Sequence, residues 1–128
     1  ISGTTGESPT ITRAEKIALF KRSSKPQTAG SRHRERRRNC TAESVDLALE
    51  VQNPRDGFMT VVPYYNKPSQ EGLYAHFKTI AQAVDLPIIL TNIPGRCVVN
   101  MTAETTLRLA REFDNIVAVK EPPESSTR

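Results

Sequence analysis

Val61, Leu90 and Val119 stand 29 positions apart, each in a short apolar run, and both intervals hold a turn followed by a stretch with helical spacing. A strand with its crossover helix takes about 30 residues, so equal steps of this length point to successive β/α units with parallel strands. The first run, Phe58 to Val62, leads through Pro63-Tyr64-Tyr65-Asn66-Lys67-Pro68 to a stretch that places Leu73, Phe77, Ile80, Ala81 and Val84 on one face. Ser69 is positioned to cap that helix. The second run, Ile88-Ile89-Leu90, is followed by Asn92-Ile93-Pro94-Gly95-Arg96 and by a helix that Thr102 caps, with Leu107, Ala110 and Phe113 on its inner face. The third run, Ile116 to Val119, ends at Lys120.

Upstream, Thr10 to Phe20 reads as helical, and Thr41 is placed to cap a further helix through Val45, Ala48, Leu49 and Val51. That helix should end near Asn53-Pro54, before an Asp56-Gly57 turn. A β/α architecture needs a strand between these two helices, yet Ser23 to Asn39 carries Ala29 as its lone apolar side chain. No buried strand is expected there, and residues 21–40 read as an atypical basic, flexible, solvated segment. Eight of the 18 Lys and Arg fall in this window against one acid, Glu35. The remainder holds ten basic and 13 acidic residues, so the net charge of +4 is a local property.

The 128 residues can bury one modest core, which makes 1–128 a single domain. No apolar run approaches the ~18 residues of a membrane span, and Ile1-Ser2-Gly3-Thr4 has neither the basic nor the apolar part of a secretory signal. A cytoplasmic protein with no membrane partner is expected. Cys40 and Cys97 are isolated, which implies free thiols and no zinc site, and His33 and His76 lack partners at ligand spacing and read as surface side chains. The Arg-rich run lacks interleaved aromatics and a helical period, which argues against a nucleic-acid partner.

Parallel strands spaced in this way occur in open doubly wound sheets and in closed (β/α)8 barrels, and both gather ligands at the C-terminal ends of their strands. Tyr64, Tyr65, Thr91, Asn92 and Lys120 lie at those ends, with Arg96 close behind, and should converge on one mouth. Among Tyr64, Tyr65 and Tyr74, placement after a strand favours a role in the site over packing alone. A lysine at the end of an apolar strand either reaches to water or loses its proton in a dry pocket. The second state makes Lys120 a candidate nucleophile for imine formation.

Four blocks carry a resemblance. Gly3-Thr4-Thr5-Gly6-Glu7-Ser8 with Glu15, then Pro63 to Tyr74, then Asn92-Ile93-Pro94-Gly95-Arg96, then Val119-Lys120-Glu121 resemble, in order and spacing, the 4-hydroxy-tetrahydrodipicolinate synthases, also called dihydrodipicolinate synthases. The resemblance implies a (β/α)8 TIM barrel, here partial, and a class I aldolase-type lyase. Such an enzyme condenses pyruvate with aspartate 4-semialdehyde in lysine biosynthesis through diaminopimelate, needs no cofactor or metal, and assembles as a homotetramer. It assigns Lys120 as the imine-forming amine, Thr4 as a relay hydroxyl and Tyr65 as the tyrosine that completes a neighbouring subunit's relay. Gly3 and Thr5 would hold the pyruvate carboxylate, Asn92 would lie among the substrate-binding residues, and Arg96 would receive the carboxylate of the aldehyde. An exposed Gly-Thr-Thr-Gly turn and a forked guanidinium both suit anions.

The chain also departs from the pattern. Thr91 stands where the family places a second relay tyrosine, and its shorter, less acidic hydroxyl should slow proton transfer by a factor on the order of 10² to 10⁴. Cys97 replaces a hydroxyl residue, Pro122-Pro123 follows the lysine, and residues 23–39 replace an apolar strand and glycine-rich loop. Less than half of the barrel is covered, with strands one, seven and eight expected to be missing, and a barrel cannot close without them. Three alternatives therefore stand beside the synthase: an inactive or non-catalytic member of the family, a related N-acetylneuraminate lyase or keto-deoxy-sugar aldolase, and a basic-tailed binding module.

Overall fold

The computed structural model describes residues 9–23, 32–36, 39–50 and 56–121. In chain order these form α1 (Arg13–Ser23), β1 (Arg32–Arg36), α2 (Thr41–Glu50), β2 (Asp56–Val61), α3 (Gln70–Ala83), β3 (Ile88–Thr91), α4 (Pro94–Cys97), α5 (Ala103–Glu112) and β4 (Ile116–Lys120). The four strands make one parallel sheet in the order β1-β2-β3-β4. Right-handed crossovers repeated in one direction put every connecting helix on the same face, whereas a doubly wound sheet reverses direction. The strand order is therefore that of a barrel arc, and α3 accordingly lies against both α2 and α5.

Register determines which side chains share a face. Phe58, Ile88 and Ile116 are lateral partners, as are Thr60, Leu90 and Val119, and a bulge between Ile88 and Ile89 keeps both rows aligned. Phe58, Ile88, Leu90 and Ile116 join Leu73, Phe77 and Ile80 in one core cluster. Burial of each such side chain is worth about 2 kcal/mol, enough to fix α3 on the sheet. The opposite, concave face presents Met59, Ile89 and Ala118 in one row and Val61, Thr91 and Lys120 in the next. Met59 and Ile89 are half-buried there and Ala118 is exposed.

The caps follow the local chemistry. Gly72 N–H donates to Ser69 Oγ at 3.2 Å and Thr105 N–H donates to Thr102 Oγ1 at 3.3 Å, as expected at both helix starts. α1 opens on a reciprocal box in which Glu15 N–H donates to Thr12 Oγ1 (3.2 Å) and Thr12 N–H donates to Glu15 Oε2 (2.7 Å). The Thr12 backbone hydrogen bond in turn holds the Glu15 carboxyl below its ordinary range.

Several expectations are corrected. Arg32–Arg36 is a strand, paired in parallel with β2 from Arg32↔Asp56 to Arg36↔Thr60, although no strand was expected between α1 and α2. Strand pairing is made by backbone groups, and this strand has β2 as its sheet neighbour among the described residues, so the apolar composition of a central strand is not required. Within the supposedly flexible 21–40 segment, Lys21 and Arg22 continue α1, while 24–31 and 37–38 lie outside the described residues. Asp56 and Gly57 begin β2 instead of forming a turn. In α5 the inward residues are Thr105 and Leu109, with Phe113 half-buried against the core, while Leu107 is 53% exposed and Ala110 is exposed. Leu107 and Leu109 differ by two residues, about 200° around the helix, and cannot share a face. His76 is buried, not on the surface, and its Nδ1 is hydrogen-bonded at 2.8 Å to the Thr41 hydroxyl, which is thereby engaged away from the expected cap. The His33 side chain and the end of the second helix beyond Glu50 lie outside the described residues.

Candidate active site

The C-terminal ends of β3 and β4 bring Thr91 and Lys120 into direct register. Lateral neighbours in a parallel sheet lie about 4.8 Å apart and point to the same side, so these two residues share the concave face. The next residue closes the junction: Asn92 N–H donates to the Lys120 carbonyl at 3.0 Å. Thr91 is fully buried, and its Oγ1 has no hydrogen-bond partner among the described residues. Lys120 is exposed. The strand-end position is the one expected for this lysine, but the expected dry pocket is not formed around it by the described residues. β4 is a terminal strand of this sheet, and Val117 (57% exposed) and Val119 (37%) share its open flank.

Asn92 was expected to face substrate, and the structure places it elsewhere. Its side chain is 1% exposed, and Oδ1 accepts from Met101 N–H at 3.1 Å. Nδ2 donates to Glu121 Oε1 (2.8 Å), Asn100 Oδ1 (2.9 Å) and the Met101 carbonyl (3.2 Å). The Met101 donor requires oxygen at that end of the amide, so the orientation is determined by its partners. An amide with every hydrogen engaged inside the protein has none to offer a ligand.

Arg96 is exposed in the last turn of α4, a single turn that starts with Pro94 at its first position. The chain leaves that turn through Val98, whose φ of 56° and ψ of 21° are left-handed. A β-branched residue in this region costs on the order of 1–2 kcal/mol. Val98 N–H donates to the Pro94 carbonyl at 2.9 Å, and the reversal sends Val99 and Met101 back into the core.

After β2, Tyr64 packs in part against the core, whereas Tyr65 is 87% exposed with φ 71°. This segment is tied to the approach to α2, because Asn66 Nδ2 donates to the Asn39 carbonyl at 3.1 Å. Tyr65 therefore stands outward into solvent on a constrained loop. Tyr74 is a packing residue: it is buried in α3, its hydroxyl donates to Glu112, and the Arg108 guanidinium covers its ring at 3.5 Å. Gly3, Thr4 and Thr5 lie outside the described residues. Strand ends thus bring Thr91, Asn92 and Lys120 together, while Arg96 and Tyr65 stand on exposed turns behind the same ends.

Missed by sequence reasoning were the Asn92-Asn100-Gln70 contacts. Gln70, the first residue of α3, donates through Nε2 to the Asn100 carbonyl at 2.8 Å. Its Oε1 accepts from Thr102 N–H (3.1 Å) and from the Thr105 hydroxyl (2.8 Å). No short-range pattern marks contacts some 30 residues apart. Both cysteines are free, Cys40 exposed and Cys97 buried. Among the described residues no group of His, Cys, Asp or Glu could hold a metal ion, and no helix is long and apolar enough to cross a membrane.

The profile of the Dihydrodipicolinate synthetase family matches residues 1–127. The 4-hydroxy-tetrahydrodipicolinate synthase of Moorella thermoacetica is 57% identical over 128 residues, covering 94% of this chain and 42% of that protein. The synthase of Parabacteroides distasonis is 50% identical and is covered over 41% of its length. The solved 4-hydroxy-tetrahydrodipicolinate synthase of Methylacidiphilum fumariolicum superposes with a TM-score of 0.90 at 42% identity, over 96% of this chain and 42% of the other. A crystal structure of the Cyanidioschyzon merolae enzyme with lysine bound gives 0.87 at 43% identity, over 98% and 43%. The chain spans about two fifths of the length of these relatives.

Proposed function

Because the chain belongs to the dihydrodipicolinate synthetase family, we propose that it carries the imine-forming half of a pyruvate-dependent lyase, 4-hydroxy-tetrahydrodipicolinate synthase. The observation that carries this reading is Lys120 at the C-terminal end of a parallel strand, in register with Thr91 and bonded through its carbonyl to the next strand end. The Lys120 Nζ attacks the ketone carbon of pyruvate, and loss of water leaves the imine. Loss of a methyl proton gives the enamine, whose carbon adds to the aldehyde carbon of aspartate 4-semialdehyde, and the new alkoxide takes up a proton. Thr4 and Tyr65 move these protons, Gly3 and Thr5 hold the pyruvate carboxylate, and Arg96 pairs with the carboxylate of the aldehyde substrate. The chemistry needs neither metal nor cofactor. The outward Tyr65, 87% exposed on a left-handed backbone, supports a role in a neighbouring subunit and hence a homo-oligomer, a tetramer by resemblance.

A second reading, a family member that does not turn over, is favoured by the exposure of Lys120 and by the buried threonine at the relay position. One experiment separates the two. Incubation with pyruvate and borohydride should add one reduced pyruvyl mass at Lys120, absent in Lys120→Ala. A folded wild type that takes no label at this residue rejects the imine mechanism and leaves the second reading.

A further inference from the structure

We propose that Asn92 is the positioning residue of the imine site, fixing the end of β4 at the Lys120 carbonyl through its backbone and at the following residue, Glu121, through its side chain. The inference rests on the reading of Lys120 given above. Asn92 grips the end of β4 twice: its backbone N–H bonds the Lys120 carbonyl at 3.0 Å, and its side-chain amide bonds the Glu121 carboxylate at 2.8 Å. Beyond its ladder with β3 the end of β4 is open, since Val117, Ala118, Val119, Lys120 and Glu121 are all exposed.

Asn92 is itself anchored. It is 1% exposed and exchanges two hydrogen bonds with Met101, as acceptor from the N–H and donor to the carbonyl, so its amide cannot rotate without losing both. Its third acceptor, Asn100 Oδ1, continues to Gln70, which starts the helix after the Tyr65 loop. Asn100 follows Val98 and Val99 in the chain, at the exit from the turn that carries Arg96. One polar chain, Glu121-Asn92-Asn100-Gln70, therefore ties together the strand end of the lysine, the exit from the arginine turn and the helix behind the tyrosine. None of its members needs to touch substrate. Glu121 is the residue that follows β4, and its carboxylate accepts from the Asn92 amide, so this contact bears on the backbone position of the strand end.

The test measures borohydride-trapped labelling of Lys120 by pyruvate across pyruvate concentration, with far-UV circular dichroism and thermal unfolding alongside. A displacement of the amine by about 1 Å should lower the limiting labelling rate of Asn92→Ala roughly tenfold to a hundredfold. The half-saturating pyruvate concentration should stay near that of the wild type, because the carboxylate contacts lie on other residues. Glu121→Ala should lose part of the rate, and Glu121→Gln, whose amide oxygen still accepts from Asn92, should restore it. Where Asn92→Ala does not fold, this pair decides, since Glu121 is exposed. Labelling of Asn92→Ala at the wild-type rate, or equal rates in Glu121→Ala and Glu121→Gln, overturns the proposal. A wild type that takes no label removes the imine reading first and this one with it.

Discussion

His76 should make the protein sensitive to mild acid. Its ring is buried between α2 and α3, bonded through Nδ1 to Thr41 and set edge-on to Phe77 at 5.0 Å between centroids. Nε2 is buried with no partner among the described residues, so nothing there compensates a second proton. Burial pushes the ring down from 6.5 to about 4. The folded state therefore holds a neutral imidazole in a range where the unfolded chain protonates it. Stability from this group is complete above pH 6.5 and is lost as pH falls towards 4, a total of about 3 kcal/mol at 1.36 kcal/mol per unit. Urea unfolding followed by circular dichroism from pH 8 to 4 measures it, with His76→Leu as the reference. The variant gives up the Thr41 hydrogen bond but cannot titrate, and carboxylates such as Glu15 and Glu112 contribute to both proteins and cancel in the difference. The wild-type advantage should shrink by about 3 kcal/mol between pH 7 and 4, with a slope of nearly one proton per molecule near pH 5. A difference that does not change with pH over this interval refutes the argument.

Two further substitutions test the strand-end geometry. Val98→Gly relieves a left-handed backbone at a side chain that is 68% exposed, so thermal unfolding should move upward by the equivalent of about 1 kcal/mol; a lower midpoint would show that the strain estimate is wrong. Thr91→Val removes a buried hydroxyl with no described partner at nearly constant shape, and denaturant unfolding should show a gain of about 1 kcal/mol, whereas a loss would reveal a hydrogen-bond partner for Oγ1.

Legibility in the sequence followed the range of the interactions involved. β2, β3, β4 and the caps of α3 and α5 were readable because apolar period and capping are short-range chemistry, and the structure places Leu73, Phe77, Ile80, Ala81 and Val84 in the core as the spacing required. β1 was hidden because its strand character comes from backbone pairing with β2, across more than 20 residues. The inner face of α5 was misread because it carries Thr105, a polar residue, while the exposed Leu107 supplied the stronger apolar signal. His76 was misplaced for a related reason: its burial is decided by α2, which contributes Thr41 from 35 residues away. In the candidate site, the positions of Lys120 and Thr91 were legible, but the engagement of the Asn92 amide was not, since its partners Met101 and Glu121 are brought to it only by the fold.

The sequential strand order has a consequence for how this sheet can form. Each strand pairs with the one made just before it, so no strand must wait for a distant partner to be synthesised. Every pairing closes a loop of one β/α unit, 24 to 30 residues, and the sequential order keeps the closure cost, which grows only with the logarithm of loop length, from rising beyond that. A chain emerging from the ribosome can therefore lay down its β/α units one after another, each new helix docking on a surface already in place.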